Sequence, residues 1–215
     1  MATAVYDHTA YAALSSLENA SDTFIARGAE KAIDGQLKDV LVKHGLTAKY
    51  GLSLLHSHAE ILPHERLAHF GNSAIPVSIK EIPPTSLLPC TWKVSNDGLL
   101  PLEFYFSPSN PPALMEPNEL AFVEDITMAI FDLGLEDLIG LSLLASESTG
   151  GHLSGIEITE GRCNITLPHS TFGNVEGNDI IDALWIFNPI GHKQCKKACK
   201  KRGNEHKLVH QMTGK

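Results

Sequence analysis

Apolar residues recur at the spacing of one helical face at Ile33, Leu37, Val40 and Leu41, and again eighty-nine residues later at Phe122, Ile126, Ala129 and Ile130. Each stripe runs into a glycine, Gly45 or Gly134, where a left-handed helix cap is expected. The pattern then changes to the alternation of a half-buried strand. Gly51-Leu52-Ser53-Leu54-Leu55 in the first copy answers Gly140-Leu141-Ser142-Leu143-Leu144 in the second. Each unit reads as helix, glycine stop, strand. The main helices are expected over about 22–44 and 118–133, the second with Asn118 as N-cap, and a short helix is expected around Tyr11, Leu14 and Leu17.

Further strands are expected at about 50–58, 67–70, 74–80, 90–95 and 101–106, and at about 138–145, 153–159, 162–168 and 183–188. Turn chemistry separates them at Leu62-Pro63-His64, Gly71-Asn72, Pro83-Pro84 and Asn96-Asp97-Gly98. Strands that follow one another through short turns imply antiparallel pairing. The predicted class is therefore α+β: two helix-plus-antiparallel-meander units, 21–106 and 118–191, in one domain over 1–191, a pattern consistent with internal duplication. A proline-rich stretch from Ser107 to Pro117 parts the halves.

Composition changes this picture little. With 215 residues, 43% of them hydrophobic and 20% charged, the chain can bury a core without covalent staples. It has no apolar run of membrane-spanning length and no signal-like start, so a soluble, cytoplasmic protein is expected, with a nuclear location as the alternative. Charge is more informative. Residues 192–215 carry eight basic residues against the single acid Glu205, which leaves a net −15 on residues 1–191. Such a tail can lean on its own acidic body or bind nucleic acid; the negative body and the lack of interleaved aromatics disfavour the second.

The two copies diverge where the strands end, at His56-Ser57-His58 against Ala145-Ser146-Glu147. Strict alternation places Leu52, Leu54, His56, His58 and Glu60 on one face, and a His-x-His pair at about 7 Å backbone spacing can share one metal ion. Glu65 is the expected third partner, as ligand or as the carboxylate assisting an acid–base pair, with Glu60, His64 and His69 close in sequence. The plain alternative is a pair of surface or hydrogen-bonded histidines at a strand end. The order Gly51, His56-Ser57-His58, Glu65, Gly71 resembles the first metal motif of cupins, but gaps of four and six residues depart from the cupin spacing, and two leading helices do not suit a jelly roll.

A second ligand set lies at the C-terminal end: His192, Cys195, Cys199, His206 and His210. Cys195/Cys199 and His206/His210 are i, i+4 pairs that helices would project on one face, so a tetrahedral zinc site is expected there, with the neighbouring lysines favouring thiolate. A redox-active thiol pair and an incidental basic tail are the alternatives. Cys90, Cys163, Trp185 and Phe187 alternate with apolar residues and read as core. No nucleophile elbow, phosphate-binding loop or His-Glu-x-x-His sequence is present.

The run Lys49-Tyr50-Gly51-Leu52-Ser53-Leu54-Leu55-His56-Ser57-His58, with Trp185-Ile186-Phe187 ahead of Cys195 and Cys199, resembles a group of uncharacterised proteins of filamentous fungi. The resemblance covers about a quarter of the chain; it implies a fungal source and that the two ends serve one design, and it implies no activity. The functional expectation is a metal-binding protein, with zinc the first choice, that binds or acts on a small molecule. The alternative is a non-catalytic protein working through its basic Cys/His tail.

Overall fold

Both glycine stops end helices as the pattern requires. In the computed structural model, which describes residues 5–96, 98–108, 117–144, 154–172 and 180–200, Gly45 and Gly134 adopt φ of 67° and 62°. The closing hydrogen bonds match residue for residue: Leu46 N–H to Leu41 O and Leu135 N–H to Ile130 O, 3.1 and 3.0 Å. The two helical arms are otherwise unalike. The second is one helix, α5 (Pro117–Asp132), starting a residue ahead of the expected cap. The first is broken into α2 (Leu17–Ala26), α3 (Ala29–Ala32), a π-helical turn over Ile33–Leu37 and α4 (Lys38–Lys43), because Gly28 is left-handed and Gly35 leaves helical geometry. A five-residue helix, α1 (His8–Ala12), precedes them, capped by the Asp7 side chain.

Ten strands follow: β1 (Tyr50–Leu54), β2 (Glu65–Phe70), β3 (Ser73–Ser78), β4 (Leu87–Ser95), β5 (Gly98–Phe106), β6 (Ile139–Leu143), β7 (Gly155–Glu160), β8 (Cys163–Leu167), β9 (Ile180–Phe187) and β10 (Lys193–Lys200). They close one barrel in the order β1-β6-β4-β5-β2-β3-β8-β7-β10-β9. The expected pair of separate α+β meander units is thus overturned. The hairpins form as the turns suggest, but β1 pairs with β6 and β9 and never with β2, while β2·β5 and β7·β10 are parallel. The physical reason lies in burial. All five residues of β1 are buried, so neither edge nor face can be left to solvent, and closure supplies both neighbours. The order is unchanged when each of β1–β5 is exchanged with the strand five places later. The last strand also corrects the domain limits, since Lys193–Lys200 belongs to the barrel wall and not to a separate tail.

Leu52 and Leu141 face each other at the centre of the β1·β6 seam. The helices cover this seam on the outside, packing Ile33, Leu37, Leu41, Phe122, Ile126 and Ile130 with Tyr50, Leu52, Trp92 and Trp185, so Trp185 and Phe187 are core residues as expected, and Trp92 is one as well. The repeated glycines permit a close crossing on the other face. A Cβ on Gly140 would lie 2.6 Å from Trp92 O, and one on Gly51 would lie 2.8 Å from Trp185 O, both backbone atoms that cannot swing away. Gly140→Ala is therefore expected to cost about 3 kcal/mol through forced strand separation, read as a lower urea midpoint; a wild-type midpoint would show that the seam can yield.

Candidate functional site

The alternation that placed His56 and His58 on a strand face ends at Leu54. Beyond it the His56 ring folds back, Nδ1–H donating to Leu54 O at 2.9 Å, and Leu55 N–H is taken by Leu138 O. That bond fixes the tautomer and leaves His56 Nε2 as an acceptor. Both rings turn into the barrel, their centroids 4.4 Å apart, and both are buried. There they line a cavity with Ser53 of β1, Thr91 of β4, Glu103 of β5, Ser142 of β6, Glu157 of β7 and Lys197 of β10. Its volume of about 40 Å³ accommodates an ion with a water or a ligand of a few atoms.

Cys199 completes the histidine pair. Its Sγ lies 3.4 Å from His56 Nε2, and one ligand atom from each of His56, His58 and Cys199 falls within 4.8 Å of the other two. An imidazole nitrogen and a thiolate on tetrahedral zinc are about 3.5 Å apart, so the observed separation already matches one edge of such a site. The Ser53 hydroxyl lines the same cavity, buried and without a hydrogen-bond partner among the described residues. These residues could therefore hold a metal ion.

Two carboxylates and one ammonium, among the described residues, set the field of the cavity. Lys197 Nζ lies 2.6 Å from Glu157 Oε1, with Thr166 Oγ1 donating to the same oxygen and Cys199 Sγ 3.2 Å from Oε2. Burial alone would raise the Glu157 pKa, but the Lys197 charge outweighs it and holds the carboxyl well below its usual range. Glu103 is opposed by burial in the same way, yet the hydrogen bond from His69 at 2.9 Å and the charges of His69 and His58 bring it to about 2. Burial, followed by the His58 charge, pushes His56 down to about 4. The Cys199 thiol goes the other way, raised well above its ordinary value by burial and then by Glu157. The expected lysine-activated thiolates are thus corrected: the near lysine is committed to a carboxylate, and Cys195, pushed up to about 12 by burial and Asp182, is a thiol too.

The remaining sequence-based ligands are elsewhere. Glu65 is engaged by Arg162 and accepts Leu62 N–H at 2.8 Å, so it secures the 60–65 loop and does not join His56 and His58. Glu60 and His64 are exposed, while His69 enters the barrel through Glu103. Cys195 and Cys199 lie on strand β10, not a helix, and Cys195 Sγ turns to Lys197 O at 3.1 Å, so the two do not converge. His206 and His210 fall outside the described residues. Part of the basic segment leans on the acidic body: Lys193 pairs with Glu30 and Asp34. Glu103, Glu157 and Lys197 carry no motif. The sequence signal of the two carboxylates is a charge enclosed by apolar neighbours, as in Leu102-Glu103-Phe104 and Ile156-Glu157-Ile158. Register shifts interrupt β4·β5 around Thr91 and β9·β10 around Lys197, next to the very residues that point inward.

The segment before α2 covers the mouth. Tyr11 packs with Leu55, Ile61, Leu67 and Leu102, its hydroxyl accepts His58 N–H at 3.4 Å, Ser15 O accepts Ser57 N–H at 2.9 Å, and Leu14 lines the cavity. Among the described residues no helix is long and apolar enough to cross a membrane. No family model, curated protein or solved structure matches the chain.

Proposed function

We propose that this protein binds a divalent transition metal, zinc in the first instance, through His56, His58 and Cys199, and uses the cavity beside them to bind or transform a small polar molecule. The convergence of three buried donor atoms from opposite ends of the chain carries the reading. When bound, such an ion supplies Lewis acidity and lowers the pKa of a coordinated water. The chain's own residues do the rest. Leu54 O holds His56 with its Nε2 turned inward, Glu157 accepts a hydrogen bond from the Cys199 thiol and so fixes its orientation, and Lys197 keeps that carboxylate ionised. Ser53 and Thr91 offer hydroxyls to a ligand, and Leu14, Leu102 and Leu184 exclude bulk water.

A metal-free Cys–His nucleophile is the weaker reading, because a buried neutral thiol beside a neutral imidazole is not an activated pair. Purified full-length protein should carry metal, and His56→Ala and Cys199→Ser should each lose about one equivalent per chain by elemental analysis. In the cobalt-substituted protein, azide should shift the visible bands if a coordination position faces the cavity. Metal content unchanged in both variants would end this reading.

A further inference from the structure

A second set of donors lies beside the first. His69 of β2 and Cys90 of β4 are buried, the Glu103 side chain of β5 is 12% exposed, and one ligand atom from each lies within 4.8 Å of the other two. Cys90 is thus more than the core thiol that its apolar neighbours suggest. The carboxylate of Glu103 stands between the two sets, with Oε1 3.6 Å from His58 Nε2 and Oε2 2.9 Å from His69 Nε2. One oxygen toward each histidine is the arrangement of a carboxylate that bridges two ions about 3.5–4 Å apart.

We propose that the barrel holds two divalent metal ions, the second bound by His69, Cys90 and Glu103, with Glu103 bridging it to the first. The proposal rests on the reading of His56, His58 and Cys199 as the first site. Charge supports it. Among the described residues, the metal-free cavity holds the carboxylates of Glu103 and Glu157 against the single ammonium of Lys197, an excess of negative charge in a largely buried place. Two thiolates and two carboxylates balance two dications, and the charge of Lys197 then calls for one hydroxide, the usual small bridging ligand of a carboxylate-linked pair. Loading releases to solvent one proton from each thiol, one from the water that becomes the hydroxide, and the Nε2 proton of His69, whose ring keeps its proton on Nδ1. The His69–Glu103 contact is a hydrogen bond at present and must open by about half an ångström to become an edge of a metal polyhedron. Thr91 Oγ1, which donates to Glu103 Oε2 at 3.3 Å, steadies the carboxylate through that change.

Cobalt titration of chelator-treated full-length protein, with stoichiometry by elemental analysis after desalting, tests the proposal. Two equivalents are expected for the wild type, falling to one in Cys90→Ser and in His69→Ala while the signal from Cys199 ligation persists. Electron paramagnetic resonance should show coupled ions only at the second equivalent, and Glu103→Gln should abolish the coupling. The wild-type count needs no variant to fold. One equivalent, insensitive to His69 and Cys90, overturns the second site and leaves the first standing; no bound metal overturns both.

Discussion

Lys197→Met is expected to destabilise the protein by about 3 to 5 kcal/mol, as much as or more than the forced strand separation of Gly140→Ala. The ammonium is buried, as is its partner Glu157, and removing it leaves a carboxylate with the Thr166 hydroxyl and the Cys199 thiol as its remaining donors among the described residues. Methionine nearly conserves the volume, so the loss reports the stranded charge and not a hole. Adding Glu157→Gln to Lys197→Met should recover much of it, because a neutral amide costs far less to bury than an ion. Urea unfolding of both variants beside the wild type measures the two steps. A single substitution within about 1 kcal/mol of wild type would mean that water reaches the pair.

Acid should unfold the metal-free protein in two stages. His56 is held at about 4 in the fold against an ordinary 6.5, so between those values the unfolded chain takes up a proton that the native one refuses. The stability contributed by keeping this ring neutral is complete above pH 6.5 and is lost as pH falls toward 4, about 3 kcal/mol in all. Glu103, at about 2 against 4.5, behaves as a carboxylate with a depressed pKa: its contribution is complete above 4.5 and disappears as pH falls through 2, again about 3 kcal/mol. His56→Gln should remove the upper stage and keep the lower one. Unfolding free energies measured from about pH 7 down to about pH 2 check this, and an unaltered slope above about pH 4 in the variant would show that His56 is not the group being titrated.

Local structure is legible in the sequence because local chemistry decides it. Helical stripes, glycine caps and the hairpin turns at Gly71 and Gly98 depend on neighbours a few residues away. Barrel closure depends on β1 meeting β6 and β3 meeting β8, and no property of Tyr50–Leu54 alone names Ile139–Leu143 as its partner. The candidate site is half legible for the same reason. His56 and His58 stand out as an addition to a shared strand pattern, and Cys199 stands out in a Cys/His-rich segment, but helical spacing assigns Cys199 to His206 and His210, whereas a strand delivers it to His56. Glu103 and Glu157 escape notice because alternation assigns a charge between apolar residues to solvent, and Lys197 because it sits in a basic run; in a closed barrel the opposite face is a lumen.

Closure across two seams also bears on how the chain is made. While the ribosome has delivered only the segment through β5, the strands of that half expose open edges at β1, β3 and β4, since the partners that cover them are β6, β8 and β9. Nascent protein therefore passes through a stage in which unpaired backbone and the ring pair of His56 and His58 stand in water together, a form prone to stick to its own kind. The last open edges, on β7 and β9, close only when β10 brings Cys199 into the wall, so completion of the barrel and assembly of the ligand set arrive in the same step of biosynthesis.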